Sequence, residues 1–143
     1  MVSVVIEEST LEISNRKSIT GEVYFQFGDA FFPDCNWNDF IVVILTWWNK
    51  SIKLLETSSA GTSQDFNFLD GPFYVHGVKK DNLHITLSFI RRNKANLEVI
   101  ASLDTEIDSL KKSIVKASRK VLKELNAKNW VTDDVEDLTK QIQ

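Results

Sequence analysis

The chain of 143 residues has few of the residues that define small cross-linked or disordered proteins: one Cys, two Pro and five Gly. The single cysteine, Cys35, cannot form an internal disulfide, which favours a reducing compartment. The low Gly and Pro content leaves little room for a long disordered segment. A domain of this length buries about two thirds of the surface that the unfolded chain exposes, enough for a hydrophobic core. We therefore expect a single domain spanning residues 1–143.

The sequence also lacks recognisable targeting and membrane-spanning segments. Its first residues, MVSVVIEEST, have no basic n-region, and Glu7 and Glu8 interrupt the apolar run, so we expect no signal peptide. The longest apolar run, residues 40–45, is far shorter than the roughly 20 residues of a membrane span. The sequence therefore predicts a cytoplasmic protein with no membrane partner.

Charge is unevenly distributed, although the formal net charge is only −3. Residues 19–78 hold seven acids against two lysines, whereas residues 79–128 hold twelve bases against six acids. Nucleic-acid binding normally requires one coherent basic field, so this bipolar distribution argues against nucleic acid as a direct partner. The acidic segment is suited to a basic partner. The alternative is that solvated surface charges are segregated by chance and have no binding role.

Alternation of apolar and polar residues predicts β-strands through the first hundred residues, each with an apolar face directed inward. The expected strands cover residues 2–6, 19–27, 66–69, 73–78, 83–89 and 97–103. In residues 40–48 both parities are apolar, as expected of a strand covered on both faces, and we predict this segment as the central strand. On such a strand, Trp47 and Trp48 would point to opposite faces.

The hydrophobic period changes after the last of these strands. In residues 104–128, apolar side chains recur at three- and four-residue steps opposite a lysine-rich face, which predicts an amphipathic helix. A short terminal helix follows, capped by Thr132 or Asp133. Short, turn-rich connections between the strands favour an antiparallel meander. The predicted fold is α+β: an antiparallel sheet of six to seven strands in residues 1–103, packed by the two helices of residues 104–143.

Candidate catalytic groups are few. A small hydrolase would use Asp39, Asp70 and His76, since paired carboxylates can divide the roles of acid and base. Both acids, however, stand beside Asn or Gly at expected strand ends, where Asp also serves to turn the backbone. His76 and His84 have no neighbouring ligands at metal-binding spacing, and the sequence has no Gly-rich phosphate loop. We therefore expect no enzymatic activity, no metal and no cofactor.

Aromatic residues close to acids provide a better candidate site. Aromatic side chains dominate the energetics of many protein interfaces, and acids steer basic partners towards them. The alternative is that these aromatic residues are core residues covered by loops. The candidate partner-binding residues are Asp29, Asp34, Trp37, Trp47, Trp48, Asp65 and Tyr74.

Two motifs, FFPDCNWNDFIVVILTWW (residues 31–48) and FNFLDGPFYV (residues 66–75), precede the long C-terminal helix. In this combination the chain resembles small bacterial immunity proteins of polymorphic toxin and contact-dependent inhibition systems, over about residues 20–130. The resemblance implies a protein that binds a cognate toxin domain, such as a nuclease, and occludes its active site. The small hydrolase and a structural or adaptor domain remain alternatives. We interpret the shared motif residues as determinants of the fold: Phe32, Pro33, Asp39, Phe40, Asp70, Gly71 and Pro72.

Overall fold

The computed structural model describes all 143 residues, and its eight β-strands form two antiparallel sheets of four strands each. Sheet A consists of β1 (Val2–Ile13), β2 (Ile19–Phe27), β3 (Ala30–Phe32) and β4 (Asn38–Asp39). Sheet B consists of β5 (Ser63–Asn67), β6 (Phe73–Lys79), β7 (His84–Arg92) and β8 (Leu97–Glu106). The three helices are α1 (Ile41–Thr57), α2 (Ile107–Ala127) and α3 (Asp133–Ile142). The chain therefore belongs to the predicted α+β class.

The expected single sheet of six to seven strands is wrong, because a helix separates the two sheets. Residues 40–48 are not a central strand: Phe40 is the N-cap of α1 and the following residues form its first turns. A short run that is apolar at both parities is compatible with a buried helix as well as with a buried strand. The helical spacing becomes clear only when the later core residues Ile52 and Leu55 are included. Helices are therefore not confined to residues 104–143.

The two C-terminal helices agree more closely with prediction. α2 begins three residues later than expected, because β8 extends to Glu106 before the helix starts. Thr132 caps α3, and its side-chain oxygen accepts a hydrogen bond from the main-chain N–H of Val135 at 3.2 Å. None of the three helices combines the length and the apolar character needed to cross a membrane.

Both sheets contribute to one hydrophobic core of 30 buried residues. The ring of Trp48 lies 4.7 Å from that of Phe25 in β2 and 5.2 Å from that of Phe68, which follows β5. Phe27 of sheet A stacks on Phe89 of sheet B, with the ring centroids 4.4 Å apart. Aromatic side chains thus join sheet A, sheet B and α1.

Candidate partner-binding site

The two sequence motifs meet at the carboxylate of Asp39, which is only 1% exposed. Trp37 Nε1 donates to Oδ2 at 3.1 Å, and the main-chain N–H of Phe40 donates to Oδ1 at 2.7 Å. The main-chain N–H of Asp70 lies 3.2 Å from both oxygens. Burial raises the pKa of Asp39, and these N–H donors offset part of that rise. Asp39 therefore joins β4 of sheet A to the turn between β5 and β6 of sheet B.

The other motif residues pack beside this carboxylate. The Phe32 ring lies 5.6 Å from Phe73, and the Trp37 ring lies 5.3 Å from the same phenylalanine. Gly71 has a φ of 74°, and a Cβ at this position would lie 3.2 Å from the Trp37 ring. Pro72 lies in the same turn, and its carbonyl accepts a hydrogen bond from a main-chain N–H of β7. These contacts are the kind expected of residues that determine a fold.

The three hydrolase candidates are distributed over two places. Asp39 and Asp70 are close to each other, but Asp70 contributes its main-chain N–H to the bond, and both oxygens of Asp39 accept hydrogen bonds from the protein. His76 lies in β6, and its Nδ1 is 2.7 Å from Asp65 Oδ1. Asp39 therefore has no free oxygen directed at a substrate, and His76 is paired with a different acid.

A second polar arrangement crosses the outer face of sheet B. The strand register places Asp65, His76, Ser88 and Ser102 in one row across β5, β6, β7 and β8. An acid, an imidazole and a hydroxyl in this order resemble a nucleophilic triad, but the hydroxyl of Ser88 bonds to that of Ser102 at 3.2 Å rather than to His76. The row is therefore better described as a series of cross-strand polar pairs that stabilise the sheet.

Three of the seven predicted partner-binding residues are packed inside the protein. Trp48 is fully buried in the core, and Trp37 is partly buried against the motif residues. Tyr74 is also buried, with the guanidinium carbon of Arg92 4.0 Å from the centre of its ring. These three aromatic side chains stabilise the fold and offer little surface to a partner.

Trp47 and Asp65 lie in a groove of about 560 Å³ between α1 and β5. Lys50 and Leu54 line the groove from α1, and His76 lines it from β6. Cavities of about 300–1,000 Å³ hold small ligands in many proteins. Here, however, Asp65 Oδ1 and His76 Nδ1 bond to each other, so these two polar groups are not directed at a ligand. Two of the predicted residues are thus brought together, in a groove without a strong ligand signature.

A different surface combines acids with one exposed and one partly buried aromatic side chain, and we call it the acidic face. It lies on the outer face of sheet A and consists of Glu7, Glu22, Tyr24 and Phe31, since their strand neighbours point into the core. Glu7 lies directly opposite Glu22 in the β1–β2 ladder, and the partner of the Glu7 carboxylate is a neutral hydroxyl, that of Ser9, which donates to it at 3.2 Å. The rings of Tyr24 and Phe31 meet edge to face at 5.8 Å, and Phe31 is 41% exposed.

Exposed loops extend the acidic face at its margin. Asp29 and Asp34 are exposed on either side of β3, and Pro33 between them follows a cis peptide bond. The only bases in the first 49 residues are Arg16 and Lys17, in the turn between β1 and β2. Two of the predicted partner-binding acids therefore lie beside a surface that carries charge of a single sign.

The charge of the acidic face also affects its tyrosine. Partial burial is the main cause of a raised pKa for Tyr24. The nearby groups of Cys35, Glu22 and Glu7 raise it further. Sequence alternation placed Glu22 on the polar side of β2, but it did not reveal Glu7, because β1 was expected to end at residue 6. The pairing of these glutamates depends on the hairpin register, and the sequence alone left that register open.

The structure contains no group of three or more His, Cys, Asp or Glu side chains arranged to hold a metal ion.

A scan against protein-family models, a search of curated proteins and a search of solved structures found no match to the chain.

Proposed function

We propose that this chain is an immunity protein that binds a basic toxin domain through the acidic face and occludes its active site. The observation that carries the proposal is the position of Glu7 directly opposite Glu22, with the edge-to-face pair of Tyr24 and Phe31 on the same face. Like charges directly opposite one another destabilise a sheet by up to about 1 kcal/mol. A basic partner would compensate this repulsion on binding, so the arrangement is better suited to a complex than to the free chain.

The chemistry of the acidic face favours a partner that itself binds phosphate groups. Enzymes that act on nucleic acids carry lysines and arginines in their substrate site, and a cluster of carboxylates can occupy the same positions as phosphates. Acids of one sign also increase the rate of encounter with such a partner. Tyr24 and Phe31 would supply the apolar contacts that slow dissociation. An intracellular nuclease acts in the cytoplasm, where its immunity protein would also be required.

The test is charge reversal of both glutamates, Glu7→Lys together with Glu22→Lys. The double variant keeps two like charges opposite each other, so its folding stability should change little while the sign of the face is inverted. The probe is the toxin domain encoded next to the gene for this chain. We expect the double variant to bind it at least about 100-fold more weakly, measured by calorimetry, and to lose its protection of toxin-expressing cells.

A matched control carries the same change in net charge at a distant site. Glu136 and Asp137 are both exposed on α3, and reversal of both to lysine should leave binding and protection close to wild type. Equal loss of binding in the two double variants would show that only net charge matters, and would remove the acidic face from the interface. If neighbouring genes encode no toxin domain, or if the wild-type chain neither binds it nor protects cells, the immunity function itself is wrong.

A further inference from the structure

The outer edges of the two sheets differ in how they are covered. The β1 edge is covered by α2, where the N–H of Val4 donates to Ser113 Oγ at 2.8 Å. The β5 edge is covered by α1, where Ser51 Oγ donates to the carbonyl of Asp65 at 3.0 Å. The remaining edge of sheet A is formed by β3 and β4, which are only three and two residues long. Covering and shortening are both usual ways to prevent unwanted strand pairing.

The fourth edge, β8, is ten residues long and is neither covered nor shortened, and the one interruption of its pairing with β7 is a bulge at Ile100. α2 continues the chain from the end of β8 and has few contacts with the strand. No side chain hydrogen-bonds to the main chain of β8. Leu97 and Val99, which the sequence predicted to face inward, are each 57% exposed, and Ile100 is 51% exposed. A long edge strand with several exposed apolar side chains is a surface on which a further strand can pair.

The charges beside β8 change sign along the strand. Arg91, Arg92 and Lys94 lie at its first end, on the neighbouring part of β7 and in the connecting turn, and they outnumber the one acid there, Glu98, which stands opposite Arg91. Glu106 is exposed at its far end, where Asp104 is also located but forms an ion pair with Lys80 at 2.7 Å. When two copies of such a strand pair in the antiparallel direction, the basic end of each copy lies beside the acidic end of the other. The edge is therefore self-complementary in charge as well as in apolar character.

We propose that β8 is a dimerisation edge, at which β8 of a second copy pairs antiparallel about a twofold axis. The two copies of sheet B would then form one continuous sheet of eight strands. Twofold dimers with the same surface on both subunits are the commonest form of protein self-association. This proposal goes beyond the proposed function and is independent of it, because the acidic face lies on sheet A and is not used.

The first test measures the oligomeric state of the full chain by sedimentation velocity over a range of concentrations. We expect a monomer–dimer equilibrium that Ile100→Lys shifts at least about tenfold towards monomer, since it places a charge among the exposed apolar side chains of the edge. Val131→Lys is the matched control: this valine is 63% exposed in the connection between α2 and α3, and its replacement should leave the equilibrium unchanged. A wild-type chain that remains monomeric up to about 1 mM would overturn the proposal.

The second test identifies the direction of pairing by exchanging charges. Lys94→Glu and Glu106→Lys should each weaken the dimer several-fold, because each places like charges at the two ends of the interface. The double variant should recover most of the lost affinity, since the two exchanged charges are again of opposite sign where the copies meet. Circular dichroism checks that each variant is folded. Additive losses without recovery would contradict antiparallel pairing through β8.

Discussion

The outer faces of the two sheets carry their acidic side chains in different arrangements. On sheet B, Asp104 lies 2.7 Å from Lys80 Nζ, and its second oxygen accepts a hydrogen bond from Thr86. On sheet A, Glu7 faces Glu22 and neither has an ion-pair partner. We expect the first arrangement to stabilise the free chain slightly and the second to destabilise it. A destabilising arrangement on an exposed face suggests a role outside folding, and the following experiments test whether the two faces differ in this way.

The largest expected effect concerns the core that the two sheets share. The outer faces of the sheets can be compared through one free energy of unfolding only if both sheets unfold together. Trp48→Ala should lower the free energy of unfolding by about 3–5 kcal/mol, because it leaves a cavity beside Phe25 and Phe68 and removes the indole hydrogen bond to Asn67. Urea denaturation followed by circular dichroism measures this loss.

The neighbouring tryptophan is the control for that experiment. Trp47 is only partly buried, at the groove, so Trp47→Ala should cost much less than Trp48→Ala. Hydrogen exchange should show that the Trp48 variant loses protection in both sheets. Loss of protection in one sheet only would mean that the two sheets unfold as separate cooperative units. The free energy of unfolding would then have to be measured for each sheet separately before their outer faces are compared.

The next effect concerns Asp39, the polar link between the sheets. Asp39→Ala should destabilise the protein by roughly 2–3 kcal/mol, since it leaves the N–H groups of Trp37, Phe40 and Asp70 without their acceptor. Asp70→Ala is the control, because the Asp70 side chain is exposed and only its main-chain N–H takes part. Equal losses in the two variants would contradict this role for the Asp39 carboxylate.

The pH dependence of the same variant provides a second measurement. Burial raises the pKa of Asp39 above its usual 3.8, so the folded state binds this proton more tightly than the unfolded chain does. The resulting stabilisation is complete below the usual value and is lost as pH rises through the folded pKa. The stability difference between wild type and Asp39→Ala should therefore decrease as pH is raised above the usual value of 3.8. A difference that grows with pH would mean that the N–H donors outweigh burial.

The sequence could predict those elements whose periodicity is unambiguous. Alternation over several residue pairs predicted the strands at residues 19–27 and 83–89. A helical repeat that continues over several turns predicted the long helix α2. The first turns of α1 were predicted as a strand because a short apolar run has no period of its own. Thr132 was found because a capping residue acts locally, through the first turn of the helix that follows it.

The candidate site was less predictable than the fold. The sequence pointed to acids and aromatic residues in residues 29–48, and two of them, Asp29 and Asp34, border the acidic face. It could not separate the buried Trp48 from the partly exposed Trp47, because the wrong element was assigned to both. The pairing of Glu7 with Glu22 depends on contacts between residues fifteen positions apart, which are set by the tertiary register rather than by local composition.

The smallest expected effect addresses the two outer faces directly, because neutralisation of one acid on each face should change stability in opposite directions. Glu22→Gln should stabilise the free chain by roughly 0.2–1 kcal/mol, since it removes the repulsion from Glu7. Asp104→Asn should destabilise it, since Lys80 and Thr86 lose their charged acceptor. Thermal unfolding at low ionic strength measures both changes, and added salt should reduce each of them.

Acidification provides a second measurement of the contribution of Asp104. The hydrogen bond from Lys80 holds the pKa of Asp104 below its usual value, so this contribution is complete above the usual value and is lost as pH falls through the folded pKa. Wild type and Asp104→Asn should therefore converge in stability at low pH. If Glu22→Gln instead destabilises the chain at neutral pH, Glu22 has a stabilising role in the free protein, and the argument that the acidic face is retained for a partner loses its physical basis.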